Sequence, residues 1–257
     1  LTCIIPVVFI FIISITSEQS IKMNGYQFIP ESYSLDAYKF LFREGEMILR
    51  ALGVSVLVTA VGTTLGVILT MLMGYVLSRS NYKLNGFFTM VVFIPMIFNG
   101  GMISSYVVNT QLLNLKNSIW SLILPLCVSS FNVVICKTFF KTNIPESVIE
   151  SAQIDGATAT QILFKIKIPM IMPSVTICTF LTLTNGFKMF DQNLSLTGGD
   201  PGKQSQLLAL NIYDTFYGRS GPAWKGIGQA KAVVFFVLVV AIALIQLRAT
   251  SSKEVQQ

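Results

Sequence analysis

Glu150-Ser-Ala-Gln-Ile-Asp-Gly156-Ala157, with Ile166-Lys-Ile168-Pro169 beyond it, forms a polar stretch between long apolar runs. Asn143-Ile-Pro145-Glu146 predicts a helix start, because proline is tolerated in the first turn and an early acid favours the positive end of the helix dipole. Asp155-Gly156 predicts its stop. In between, Val148, Ile149 and Ala152 fall at the i, i+3 and i+4 spacing of one apolar face. Gly156 can take positive φ and turn the chain sharply into a second helix from near Thr158, which Pro169 ends or bends. The expected object is a hard knob projecting from a bundle, a docking surface for a soluble partner.

The bundle follows from composition. Hydrophobic residues make up 53% of the 257 and charged residues 12%, with a mean hydropathy of +0.66, whereas a soluble domain carries about 25% charge. Uncharged runs occupy 51–78, 84–115, 117–136, 168–187 and 232–247, and a helix needs roughly 20 apolar residues to cross a bilayer. These predict five spans. Residues 1–15 read as a sixth, cut short at its start, and less well as a signal-peptide core, since no basic region precedes them and no small-residue cleavage pattern follows. The fold class expected is an all-α polytopic membrane protein of about six helices, a single domain over 1–257.

Several chemistries drop out. With no His in the chain, the HExxH metal site and His-based triads are absent. Cys3, Cys127, Cys136 and Cys178 sit in apolar runs without paired or metal-like spacing. Gly-Gly-Asp-Pro-Gly-Lys203-Gln204 is no P-loop, because Thr197 stands where the upstream Gly is required and no Ser or Thr follows the Lys. No metal and no cofactor are expected. A net charge of +6 without basic and aromatic interleaving on a polar domain suits anionic membrane lipid, not nucleic acid.

Along the chain, residues 16–50 form a polar cap with a short helix expected near Leu35 to Phe42. Gly62-x-x-x-Gly66 reads as a close helix-packing face. Pro95 and Asn99-Gly100-Gly101 interrupt the third run, freeing backbone groups that must face protein or water; this is either a kink or a bend lining a translocation path. Asn132 in the fourth run is a candidate for that path or for an interhelical hydrogen bond. Asn99, Asn132, Asn185, Phe190 and Asp191 are the candidate pathway residues. The residues 187–229 read as an external loop, whose aromatic side chains also suit a membrane-interface belt.

The spacing Glu-x-Ala-x-x-x-Gly, nine residues, Ile-x-Ile-Pro resembles the EAA loop by which permeases of bacterial ABC importers seat a short helix in their ATPase subunit. Phe190-Asp191, Leu196-Thr-Gly-Gly-Asp-Pro201 and Leu210-Asn-Ile-Tyr213 resemble the corresponding part of the carbohydrate-type permeases. The departures, Ser151 for the usual Ala and Ile168 for the usual Leu, are small. The resemblance implies the ABC importer permease fold, a cytoplasmic coupling loop over 137–168, and Glu150, Ala152, Asp155, Gly156, Ala157, Ile166 and Pro169 as residues coupling it to the ATPase. It also implies a multi-pass protein of the bacterial inner membrane that passes a sugar. The partners implied are a cytoplasmic ATPase dimer, a second homologous permease and an extracytoplasmic solute-binding protein, with no enzymatic activity in the chain itself. The alternative is an ion-coupled secondary transporter, which would require an ionisable group inside the membrane; none lies within the uncharged runs, but Lys188 and Asp191 border one. Orientation rests on the resemblance, since the inner segments hold eight of the 18 Lys and Arg and the positive-inside rule does not decide.

Overall fold

A computed structural model describes residues 4–43, 45–79, 82–98, 100–218 and 224–252. Among these the secondary structure is helical, and the one β-bridge is the isolated pair Thr16 and Tyr33. The helices are α1 (Ile4–Ser14), α2 (Glu18–Asn24), α3 (Asp36–Arg43), α4 (Gly45–Ser78), α5 (Asn85–Ile97), α6 (Gly101–Val107), α7 (Trp120–Cys127), α8 (Ser130–Thr142), α9 (Glu146–Ile154), α10 (Ala159–Gln161), α11 (Ile168–Met170), α12 (Met172–Phe187), α13 (Leu208–Tyr217) and α14 (Lys225–Ser251). Residues 108–112, 162–167 and 193–197 are π-helical turns.

Three helical stretches among the described residues are long and apolar enough to cross a membrane: Gly45–Ser78, Trp120–Thr142 and Lys225–Ser251. A fourth is a broken pair, Ala159–Met170 and Met172–Phe187, bent by 67°. The shorter apolar helices α1 and α5 occupy the remaining two runs, so the pattern is compatible with about six spans. Large apolar side chains stand exposed on several of them, among them Ile4, Phe87, Met90 and Ile245. A soluble monomer rarely exposes so much contiguous apolar surface; helices in a bilayer do.

The chain divides into two compact units. In the unit made of 58–114, 120–186 and 242–257, α4 packs on α7 and α8 through its glycines. A Cβ on Gly62 would stand 2.6 Å from Leu126 Cδ2, and one on Gly66 would stand 3.1 Å from the carbonyl oxygen of Cys127. The Gly62-x-x-x-Gly66 face is thus a close-packing face, as expected. The expected interruption of the third run falls between Ile97 and Gly101, where α5 ends and α6 begins, with Gly101 at φ +70°; Asn99 lies outside the described residues.

In the unit made of 1–57, 115–119 and 187–241, Leu41, Ile48, Ala51, Leu208, Ile227 and Ala230 form one core. It joins α3, the first turns of α4, α13 and the start of α14. The expected short helix near Leu35 is α3. The segment expected as a loop over 187–229 is instead largely helical, and α14 begins at Lys225, well before its apolar run. Its start is fixed by Glu18, whose carboxylate oxygens accept from the N–H groups of Lys225 at 3.2 Å and Gly226 at 2.8 Å. A carboxylate at that end satisfies orphan donors and meets the positive end of the dipole.

The packing at Gly66 makes a measurable demand. Gly66→Leu forces a side chain against the backbone of α7, and overpacking of this kind costs about 1–3 kcal/mol. The expected result is a lower thermal midpoint in detergent for Gly66→Leu and little change for Gly53→Ala, whose Cβ meets nothing within 4 Å; equal midpoints would contradict the packing.

Candidate functional site

Helix α9 is bounded where the sequence places it. Pro145 is its N-cap, Glu146 opens the first turn and Asp155 is the C-cap. Beyond, Gly156 takes φ +80°. Its N–H donates to the Gln153 carbonyl at 3.0 Å, and the Ala157 N–H reaches back to the Ala152 carbonyl at 2.9 Å. These two bonds are the Schellman arrangement, which closes a helix end through a left-handed residue. Then the chain starts again at once. Thr158 Oγ1 accepts from the Gln161 N–H at 3.4 Å, and Gln161 Oε1 accepts from the Thr158 N–H at 2.8 Å, a capping box for α10. With Asp155 N–H donating to the Ser151 carbonyl at 2.9 Å, every backbone N–H from Asp155 to Thr158 has a partner. The reversal is therefore rigid, although nearly all of it is exposed. Space is not what requires glycine at 156, since a Cβ there would meet nothing within 4 Å; φ is.

The inner side of this knob rests on Cys136, Phe140, Ile144 and Ile171, a buried cluster against which Ile149 of α9, Met71 and Tyr75 of α4 and Val175 of α12 pack. One side chain of α9 thus touches the cluster on which three membrane helices converge. Lys167 reaches the same cluster from the other arm. Only 8% exposed, it places Nζ 3.4 Å from the Tyr75 hydroxyl and 4.9 Å from the Tyr75 ring centroid. Arg79 stands over that ring at 5.1 Å, and the ring lies 5.4 Å from Phe140. Buried on one side by an aromatic face, a cation is attracted by about 0.5–2 kcal/mol.

Of the residues singled out in the sequence, Glu150 and Asp155 are exposed, while Ala152, Ala157, Ile166 and Pro169 are half-buried. Ala152, Asp155, Gly156 and Ala157 meet in the turn itself. Pro169 lies in α11 just before the 67° bend. Ile171, fully buried, sits at the bend, and its N–H reaches both the Lys167 and Ile168 carbonyls at 3.2 Å. Sequence reasoning missed Ile154 and Phe164, which stand 86% and 63% exposed. Apolar residues left in the open beside a polar turn are the anchor type that an interface buries. For Ile154 the one signal available was its failure to fit the apolar face of Val148, Ile149 and Ala152.

The candidate pathway residues are divided between the two units. Asn132, 3% exposed, donates from Nδ2 to Thr182 Oγ1 at 3.0 Å, linking α8 to α12. Asn185 is exposed near the end of α12. In the other unit, Asp191 is exposed and the Phe190 ring lies 4.9 Å from that of Tyr213. Also missed was a buried polar network there. Asn193 Nδ2 donates to the Ser205 carbonyl at 2.8 Å, Gln206 Nε2 to Asp214 Oδ2 at 2.6 Å, and Lys231 Nζ to Asn211 Oδ1 and Thr215 Oγ1, both at 2.8 Å.

A helical chain with apolar exposed spans and this helix–turn–helix is a membrane protein of the permease class. It belongs to the family described as binding-protein-dependent transport system inner membrane component, which matches residues 62–252. Among curated proteins it is 38% identical over 185 residues to the polygalacturonan/rhamnogalacturonan transport system permease protein YtcP of Bacillus subtilis, covering 72% of this chain and 64% of that protein. It is 34% identical over 172 residues to Protein LplC of the same organism, covering 67% and 57%. Over 114 residues it is 44% identical to the probable starch degradation products transport system permease protein AmyD of Thermoanaerobacterium thermosulfurigenes, covering 44% and 38%. The match thus spans less than two thirds of the length of each of these relatives. Its fold is that of a chain in a bacterial ABC transporter involved in the import of the acidic polysaccharide alginate, with a TM-score of 0.78 at 21% identity, covering 93% of this chain and 88% of that one.

The turn is testable without reference to transport. Gly156→Val forces a β-branched residue into the left-handed region at a cost of about 1–2 kcal/mol, which is roughly tenfold in a local equilibrium. Amide exchange at residues 155–158 should accelerate by about that factor while exchange in α8 and α12 is unchanged. Unaltered exchange at Ala157 would show that the two bonds do not depend on glycine.

Proposed function

We propose that this chain is the membrane-spanning permease subunit of an ATP-driven ABC importer that translocates a sugar or oligosaccharide. The observation that carries the reading is the rigid α9 turn seated by Ile149 on the cluster shared by α4, α8 and α12, in a chain of the binding-protein-dependent transport family. The saccharide is inferred from the substrates in the names of the relatives, polygalacturonan, rhamnogalacturonan and starch degradation products. In this reading 1–257 act as one permease domain in the bacterial inner membrane, 137–168 are its cytoplasmic coupling loop, and 187–229 face outside. Glu150, Ile154 and Phe164 meet a groove on an ATPase subunit that supplies the hydrolysis. A second permease completes the path, and an extracytoplasmic binding protein delivers the solute; a related structure is of an alginate ABC transporter in complex with an oligosaccharide-bound periplasmic protein.

Mechanistically, closure of an ATPase dimer on ATP moves the groove, and α9 moves with it as a body. Ile149 and the Lys167–Tyr75 contact pass that displacement to α4, α8 and α12. A change is driven only if α9 binds the two ATPase states with different affinity. Asn185, Phe190 and Asp191 are the residues assigned to the path, and Asn132 sets the register of α8 on α12.

The deciding experiment is co-purification from native membranes in mild detergent, comparing wild type with a Glu150→Ala/Gly156→Val double variant. An ATPase should travel with the wild type and be lost from the variant, while both remain in the membrane fraction. A chain that purifies alone in both cases would favour an ion-coupled secondary transporter.

A further inference from the structure

Where α3 ends and α4 begins, a cavity of about 440 Å³ is lined by Arg43, Glu46, Arg50, Lys203 and the buried Gln206. Ligand cavities run from roughly 300 to 1,000 Å³, so a ring or two fits. Among the described residues its lining is lopsided: three cations against one carboxylate. The ion pairs among the described residues join Glu18 to Lys22 and Asp36 to Lys39, so the cavity cations are not neutralised by an acid among them. Even Glu46 and Arg50, one helical turn apart, form no such pair.

The floor of the cavity is built rather than incidental. Gln206 is 2% exposed and held from both sides, donating to Asp214 Oδ2 at 2.6 Å and accepting from Asn211 Nδ2 at 3.1 Å. Its own N–H donates to the Lys203 carbonyl at 3.4 Å. Lys203 takes φ +63°, a left-handed conformation that non-glycine residues seldom adopt and that gathers at ligand-holding turns. The turn at 203 is thus anchored on the polar network beneath it, while Arg43 and Arg50 are placed by the Leu41, Ile48 and Ala51 core beside them.

Guanidinium groups match a carboxylate with two parallel hydrogen bonds, and an ammonium adds a compact charge. The Glu46 carboxylate suits the hydroxyls of the same ligand. We infer that this cavity binds the carboxylate of an acidic saccharide, making oligouronides the substrate class of the importer. The inference rests on the saccharide reading above and narrows it. Both arginines lie outside residues 62–252, the range that the family model matches.

The test uses the complete transporter in neutral-lipid nanodiscs without binding protein, with trigalacturonate and its methyl ester as probes in equilibrium dialysis. Trigalacturonate should bind, and the ester, which keeps every ring and loses the charge, should bind at least tenfold more weakly. Arg50→Gln/Lys203→Gln should bring trigalacturonate down to the ester's level, with retention of the co-purifying ATPase showing that the variant is folded. Equal binding of acid and ester, undiminished binding by the variant, or no binding by wild type would overturn the inference. So would displacement of the acid only by anionic phospholipid vesicles, which would make the cavity a lipid headgroup site. Uptake by the complete system separates the two levels. A transporter that takes up a neutral saccharide but binds no trigalacturonate refutes the uronide inference alone, whereas one that takes up neither refutes the saccharide reading beneath it.

Discussion

The two hydrogen bonds that close α9, from Gly156 to Gln153 and from Ala157 to Ala152, hold an exposed turn in a single shape. A projecting helix of nine residues is far too short to be stable by itself in water, where nucleation makes helices under about 12–15 residues marginal. Its order comes from its ends and its seat. The Schellman turn and the adjoining capping box consume the free backbone donors, and Ile149 binds the helix to the cluster around Ile171. Loosening either would leave a flexible loop, which can bind a partner but transmits displacement poorly.

Within the apolar helices a different constraint rules. Lipid offers no hydrogen bonds, so the backbone must find its partners inside the protein, and polar side chains gain by doing the same. The hydroxyls of Ser55, Thr64, Thr179 and Thr182 donate back to the carbonyl four residues earlier. Asn132 and Thr182 satisfy each other between helices. The breaks in the helices fall where partners exist: Ser129 caps α8 by accepting from the Asn132 N–H, and Ile171 finds two carbonyls at the bend.

What could be read from the sequence was what local chemistry determines. The bounds of α9 were legible because Pro145, Glu146, Asp155 and Gly156 each act within one turn of where they stand. The apolar runs were legible because crossing lipid demands composition. Helix ends set by distant partners were not, since a helix continues until its carbonyls or amides find other partners. That α14 starts at Lys225 depends on Glu18, 207 residues earlier, a contact that no local pattern encodes. The network of Asn193, Gln206, Asn211 and Lys231 was hidden for the same reason, because scattered polar residues in a Gly-rich segment read as solvent-exposed loop until the fold gathers them.

The 67° bend between Ala159–Met170 and α12 gives the molecule a bell-crank. At a bend of 67° a thrust along one arm arrives at the other with a large sideways component, whereas a straight helix would carry it only as a piston stroke. The pivot is Ile171, sealed in its apolar bearing. In the proposed importer, this elbow turns a movement of the docking surface into a swing of α12 about Ile171.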